Sequence, residues 1–163
     1  MDNGVTFTRT HDWSLVKSIV THPKIYGRVS DDFAAKPEDW QATDNEFIWY
    51  ILAEDEGKLL GLFIFIPENQ ICWGVHTCLL PESYGPKAHE AGRGIIQWIW
   101  EHTGCLRITT VVPEYNRLAL KFAQDSGLVT YGINPHSYMK NGKLCDLIQL
   151  GISKPEVSAN HAQ

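Results

Sequence analysis

Four cysteines, seven histidines and one glycine-bearing break between apolar segments are where this 163-residue chain can do chemistry. Cys72, Cys78, Cys105 and Cys145 include no C-x-x-C pair, so the spacing of a zinc or dithiol redox site is absent. They read as small buried apolar residues with free thiols, in keeping with a reducing, cytoplasmic compartment. His89-Glu90-Ala91-Gly92-Arg93 begins like the zinc helix H-E-x-x-H but lacks its second histidine, and no metal is expected. No Gly-Lys-Ser/Thr follows Gly85 to Gly94, so that segment is not a P-loop. Gly-x-Ser-x-Gly is absent, which argues against a serine hydrolase. His76 lies within the apolar run Ile71 to Leu80, on the period-2 face shared by Cys72, Gly74 and Cys78. It is the side chain on that run able to accept a proton near neutral pH; the alternative is a hydrogen-bonded sheet histidine.

These residues must be positioned by a definite series of elements. Val5 to Thr8 reads as a strand. Trp13, Val16, Ile19 and Val20 follow a helical period after the cap candidates Thr10 to Asp12, and His22-Pro23 reads as the stop. Tyr26-Gly27 reads as loop, Ser30-Asp31-Asp32 as a cap for a short helix, and Pro37 to Trp40 as another short helix. Phe47 to Ala53, Leu59 to Ile66 and Ile71 to Leu80 form a meander of three antiparallel strands separated by tight turns. Pro81 to Pro86 is a break. Ala88, Ala91, Gly92, Ile95, Ile96 and Ile99 share one face of a helix ending near Gly104. Arg107 to Val112 is β-branched, Asn116 to Ser126 is a second amphipathic helix stopped by Gly127, and Leu128 to Ile133 and Ser137 to Met139 are short strand pieces. Asn141-Gly142 is a hairpin turn, and Leu144 to Ile152 is the last strand. Residues 71–112 are a strand–helix–strand unit, expected as a parallel right-handed crossover. The expectation is an α/β (α+β) fold: a mixed sheet of six or seven strands with helices on both faces, over residues 1–152, followed by a polar, flexible tail at 153–163.

Composition narrows the classes. At 163 residues one domain is expected, large enough to bury a core without metal or disulfides. The net charge is −5 and no run of Lys or Arg exists, which excludes the footprint of a nucleic-acid binder. No segment reads as a signal peptide or a membrane span. Six Trp residues are many for one small domain, so some are expected in a cleft or an interface. On the helix of residues 88–102, Trp98 sits beside the apolar stripe and Trp100 just past it. At least one of the two is expected at the surface, under a loop or in the interface of a homo-oligomer or protein partner.

The element order, Asn116-Arg-Leu-Ala119 followed by Ser126-Gly127-Leu128, the hairpin Asn141-Gly142-Lys143 with Asp146 behind it, and Trp73-Gly74-Val75 leading to Leu80-Pro81 together resemble the GNAT superfamily of acyl-CoA N-acyltransferases, the last most like its N-terminal-acetylating branch. The likeness covers nearly the whole chain. It implies acetyl-CoA as substrate, lying across a splay after Leu79-Leu80. Its pyrophosphate would rest on backbone N–H groups at a helix N-terminus near Tyr84, Gly85, Lys87, Ala88 and His89, with Asn116 opening the following helix. The superfamily carries Arg/Gln-x-x-Gly-x-Gly/Ala where this chain has Glu82-Ser83-Tyr84-Gly85-Pro86-Lys87-Ala88. Gly85 matches, but Glu82 replaces the Arg or Gln, Lys87 the second Gly, and Pro86 removes one N–H. The loop is therefore degenerate: either rebuilt around Lys87 or without acyl-CoA binding.

The resemblance also implies the chemistry, direct attack of an amine on a thioester. The usual strand base is a Glu, and His76 stands in its region. The usual Tyr acid would fall at Ala123, leaving Tyr115 and Tyr131 as substitutes beside Asn116. The acids Asp31, Asp32, Glu38, Asp39 and Asp44 and the aromatics Tyr26, Phe33 and Trp40 suit a cationic acceptor, either a small amine or a peptide N-terminus; the alternative is a solvated acidic face. The chain also resembles small phage-encoded proteins of this fold associated with head assembly, which implies a second possibility, a catalytically inactive binding or assembly protein.

Overall fold

The structure, a computed structural model, describes residues 4–157. Its strands are β1 (Val5–Arg9), β2 (Trp49–Asp55), β3 (Lys58–Pro67), β4 (Cys72–Leu79), β5 (Arg107–Pro113), β6 (Val129–Lys140) and β7 (Lys143–Ser153). Its helices are α1 (Trp13–Val20), α2 (Pro23–Val29), α3 (Pro86–His102) and α4 (Arg117–Asp125). The seven strands form one sheet in the order β1-β2-β3-β4-β5-β7-β6. Only β4 and β5 run parallel, joined through α3. The mixed sheet and the parallel crossover pair are as the sequence predicts.

Helices cover both faces. α1 and α2 pack Val16, Ile19, Val20, Ile25 and Tyr26 against Tyr50, Leu52, Leu62, Ile64 and Cys78. On the other face α3 and α4 bury Ala91, Ile95, Ile99 and Ala123 against Ile51, Phe63, Phe65, Ile108 and Leu150. β3 is apolar on both faces for this reason: its Leu60-Gly-Leu-Phe-Ile-Phe65 stretch is buried throughout. Local codes start the helices where expected. Asp12 Oδ1 accepts the Leu15 N–H at 3.1 Å and Asn116 Oδ1 the Ala119 N–H at 3.2 Å.

Several boundaries differ. His22-Pro23 does not end the helical region: the His22 Nδ1 accepts the Lys24 N–H and Pro23 opens α2, which runs through Tyr26-Gly27. Proline's fixed φ suits a first helical turn as well as a stop. No helix follows Ser30-Asp31-Asp32; Asp32 instead caps a distant hairpin, described below. β2 begins at Trp49, because Asn45 Oδ1 turns the chain by accepting the Phe47 N–H. β6 is one strand of 12 residues, not two pieces, since bulges around residue 131 and between Asn134 and Tyr138 absorb Pro135 while β7 keeps pairing. The tail is ordered further than expected: β7 includes Ser153 and the Lys154 N–H donates to Leu106 O at 2.8 Å. Residues 158–163 of that tail lie outside the described residues.

Trp40 lines a cleft, as expected, whereas neither Trp98 nor Trp100 is exposed. None of the six indoles is exposed. Trp100 is buried in the α3 face of the core, and Trp98, half-buried, packs edge-on against Trp49 at 6.2 Å and stacks on His102 at 4.1 Å. An indole is long enough for both to reach apolar partners from neighbouring sides of one helix, one on the sheet and one on the β2 aromatic.

Among the described residues, no helix is long and apolar enough to cross a membrane.

Candidate active site

The site begins where the sheet comes apart. β4 and β5 pair only over Cys72 to Gly74 with Arg107 to Thr109. A last bridge runs from Thr110 Oγ1 to Val75 O at 3.0 Å, and beyond it the strands diverge. At the two ends of the β3–β4 ladder Leu80 N–H donates to Leu60 O and Glu68 N–H to Cys72 O, each at 2.9 Å, so even-numbered β4 residues spend their backbone groups on β3. Odd-numbered ones face β5. Thr77 and Leu79 therefore present their N–H and C=O groups to a gap with no strand in it. On the other side, Glu114 N–H donates to Asp146 O at 3.0 Å, so even-numbered β5 residues face β7 and Val111 faces the gap. Unpaired backbone edges of this kind are suited to the amides of an extended ligand.

A cavity of about 340 Å³ passes through this gap. Towards α3 and α4 it is lined by Gly85, Ala88, His89, Asn116, Ala119, Lys121 and Phe122. Towards α1 and α2 it is lined by Ile25, Arg28, Val29, His76 and Cys78. The floor between the helices depends on Gly92, where a Cβ would lie 2.8 Å from Phe122 Cζ and closer still to Ser126 Oγ. The N-terminus of α3 opens on it. Gly85 is the N-cap with φ 119° and ψ −149°, and its side gives no capping group. The Tyr84 N–H is taken by Pro81 O and the His89 N–H by Gly85 O, while the N–H groups of Gly85, Lys87 and Ala88 have no acceptor among the described residues. With the helix dipole they make a terminus whose chemistry suits an anion. Pro86 at the first helical position removes an N–H but leaves those three. Buried Ser83 fixes the loop behind them on Leu60 O and Leu80 O, at 2.9 and 2.6 Å.

His76 pairs across β3 with Ile64, so it faces α1 and α2, opposite the α3 terminus. Its side chain is exposed at the cavity wall, and partial loss of solvation by the surrounding protein lowers its pKa below the ordinary histidine value. It is neutral near pH 7 and able to take a proton. Its neighbour Cys78 is pushed up to about 12 by burial and stays a thiol.

Of the other sequence-predicted residues, Leu79, Tyr84, Gly85, Ala88, His89 and Asn116 line the cavity. Leu80 does not; it packs with the α1–α2 cluster. The Lys87 ammonium points away, 3.2 Å from both Asp55 and Glu90, which raise its pKa above the ordinary lysine value. Tyr115 lies outside the cavity, half-exposed, 6.5 Å ring to ring from Tyr138. Tyr131 is on the open face over Arg107. Sequence reasoning missed two residues that the cavity gathers, Tyr138 and Arg28. Burial first, then Tyr115, pushes the Tyr138 phenol well above its ordinary value, so it remains a proton donor. The only sequence signal for it was its place before Asn141-Gly142.

A second cavity, about 410 Å³, adjoins the first at Tyr138 and is lined by Tyr26, Asp31 and Trp40 among others. The loop above it is clasped to the β6–β7 hairpin. Asp32 accepts the N–H groups of Asn141 and Gly142 at 2.8 and 2.9 Å. Lys140 Nζ donates to Gly27 O and Ser30 O, both at 2.7 Å.

The spermidine N-acetyltransferase of Vibrio cholerae, solved in complex with CoA and spermine, superposes on this chain with a TM-score of 0.78 at 16% identity, covering 94% of this chain and 98% of its own. The fold is that of the GNAT acyltransferases. Mutant forms of the spermidine/spermine N-acetyltransferase from the same organism give a TM-score of 0.75 at 16% identity, over 99% of this chain and 100% of theirs. A proposed phosphinothricin N-acetyltransferase gives 0.69 at 22% identity, over 92% and 98%. No family model and no curated protein matches the chain in sequence.

Proposed function

We propose that this protein is an acetyl-CoA-dependent N-acyltransferase acting on a small amine. The observation that carries the reading is the continuous cavity through the splay, with bare N–H groups at the α3 terminus on one side of the sheet and His76 on the other. In this reading the pyrophosphate rests on the N–H groups of Gly85, Lys87 and Ala88, and Lys87 contributes its backbone rather than its ammonium. The pantetheine amides follow the free edges of Thr77, Leu79 and Val111 and bring the thioester into the gap. The acceptor enters from the α2 side.

His76 takes a proton from the ammonium of the acceptor. The freed lone pair attacks the thioester carbonyl carbon, forming a C–N bond, and a backbone N–H of the β4 edge faces the developing oxyanion. The C–S bond then breaks. Tyr138, held neutral, gives its proton to the departing thiolate and regains one from the nitrogen, which sheds its second proton as the amide forms, with Tyr115 positioning the ring. Asn116 serves by capping α4. Holding both reactants in one narrow passage supplies much of the rate.

Calorimetry with acetyl-CoA tests this, on the wild type and on Ala119→Trp, which places an indole on the α4 wall of the cavity. Binding by the wild type and at least ten-fold weaker binding by a folded variant is the expected pair of results. Absence of binding by the wild type, or equal binding by both, would refute it.

A further inference from the structure

The charge lining the cavity points to an acceptor class different from the one that the acids between Asp31 and Asp44 suggest. Of the five acids there, none lines the cavity through the splay. Asp31 faces the second cavity, and Asp32 is spent on the hairpin. No carboxylate of any kind is among the residues lining the splay cavity, whereas Arg28, Lys121 and two histidines are.

The cations differ in what already holds them. On the α3–α4 side Lys121 is 2.9 Å and His89 3.6 Å from Asp125. Arg28 has no carboxylate within ion-pair distance among the described residues. Its Nη1 donates to the Tyr84 hydroxyl at 2.8 Å and its guanidinium lies 5.8 Å from that ring's centre. One of five N–H donors is thereby used and the plane is fixed, leaving the rest of the fork free. Arg28 comes from α2, on the same side of the sheet as His76, where an acceptor would enter.

We infer that the acceptor is a primary amine carrying an anionic group, with Arg28, oriented by Tyr84, binding the anion while His76 receives the amine's proton. This rests on the transferase reading above. A planar fork with a fixed face suits a carboxylate or a phosphonate, bound through two N–H groups. A purely cationic diamine would meet Arg28 with no compensating carboxylate on the cavity wall.

The test measures kcat/KM, by thiol release, for glycine, β-alanine, 4-aminobutyrate and 5-aminopentanoate, each beside its amide, with 2-aminoethylphosphonate and spermidine as further arms. At least one acid should exceed its own amide by about ten- to a hundred-fold, the worth of a charge-assisted bond. The phosphonate arm tells which anion the fork prefers. Arg28→Gln should erase the acid–amide difference through KM, and Arg28→Lys should restore part of it. Acetyl-CoA affinity should stay within about two-fold in both variants.

Amides equal to acids throughout, or spermidine preferred over all of them, would overturn the inference and leave the transferase reading standing. Weakened acetyl-CoA binding in Arg28→Gln with an unchanged acid preference would also overturn it, assigning the guanidinium to the cofactor's phosphates. A wild type that binds no acetyl-CoA would remove the transferase reading itself.

Discussion

Gly85 is the position where fold and proposed function are most tightly joined, and Gly85→Ala separates the energetic parts. The residue has φ 119° and ψ −149°, a region that an L-residue rarely enters. A Cβ built there meets nothing within 4 Å, so the cost is conformational and not steric. Holding alanine in such a region costs about 1–3 kcal/mol. Alanine also reduces the freedom of the unfolded chain, which returns about 0.4–1 kcal/mol. The net expectation is a loss of about 0–2.6 kcal/mol, or a fall in Tm of up to roughly 10 °C for a domain of this size. If the backbone relaxes instead, the N–H of residue 85 turns away from the α3 axis and acetyl-CoA affinity falls by about ten-fold, the worth of one hydrogen bond to a charged group. Gly27→Ala is the control. Gly27 lies inside α2, also with nothing within 4 Å, and there alanine should stabilise by about 0.5–1 kcal/mol. Urea unfolding gives both stabilities and calorimetry the affinity. The reasoning fails if the two variants shift stability in the same direction and Gly85→Ala binds acetyl-CoA as the wild type does.

Other consequences can be measured on the same protein. The acid limb of kcat/KM should have its midpoint below the unperturbed histidine value of about 6.5, because the folded pKa of His76 is depressed; His76→Ala should flatten that limb, and a limb surviving unchanged would exclude His76 as base. Asp32 is held below its ordinary value first by the Gly142 N–H, then by that of Asn141. Its stabilisation is therefore present above the unfolded carboxylate value of about 3.9 and lost as pH falls through the lower folded value. Hydrogen exchange at the 141 and 142 amides should accelerate over that window, and Asp32→Ala should show the fast exchange already at pH 7. Lys87→Gln should leave acetyl-CoA affinity within about two-fold, since the ammonium is turned to Asp55 and Glu90; a ten-fold loss would return Lys87 to the phosphate site.

Much of the frame follows from the sequence, because its signals are local. A helix cap needs a side chain three residues from its target, as Asn116 and Ala119 show, and a left-handed stop needs only a glycine such as Gly127, whose φ is +107°. The β4–α3–β5 order implies a parallel pair, because a crossover helix leaves the chain running the same way. The histidine on β4 and the glycine before α3 are legible for the same reason: period 2 and a helix start place them without knowledge of the rest. What the chain could not state locally was anything decided by a partner far away. Pro23 is compatible with ending one helix or opening another, and α2 was settled by burying Ile25 and Tyr26 against β-strands some 25 or more residues on. β6 runs past Pro135 because β7 supplies the ladder around its bulges. Lys87 reads as a phosphate ligand in sequence, but Asp55, at the end of β2, stands 3.2 Å from its ammonium. Arg28 and Tyr138 lie 110 positions apart and meet at one cavity only because the Asp32–hairpin clasp ties their segments together. Residue types and short spacings determined which chemistry the chain carries; the tertiary structure decided which groups share a cavity, since a charge's role depends on the nearest opposite charge, wherever in the chain that lies.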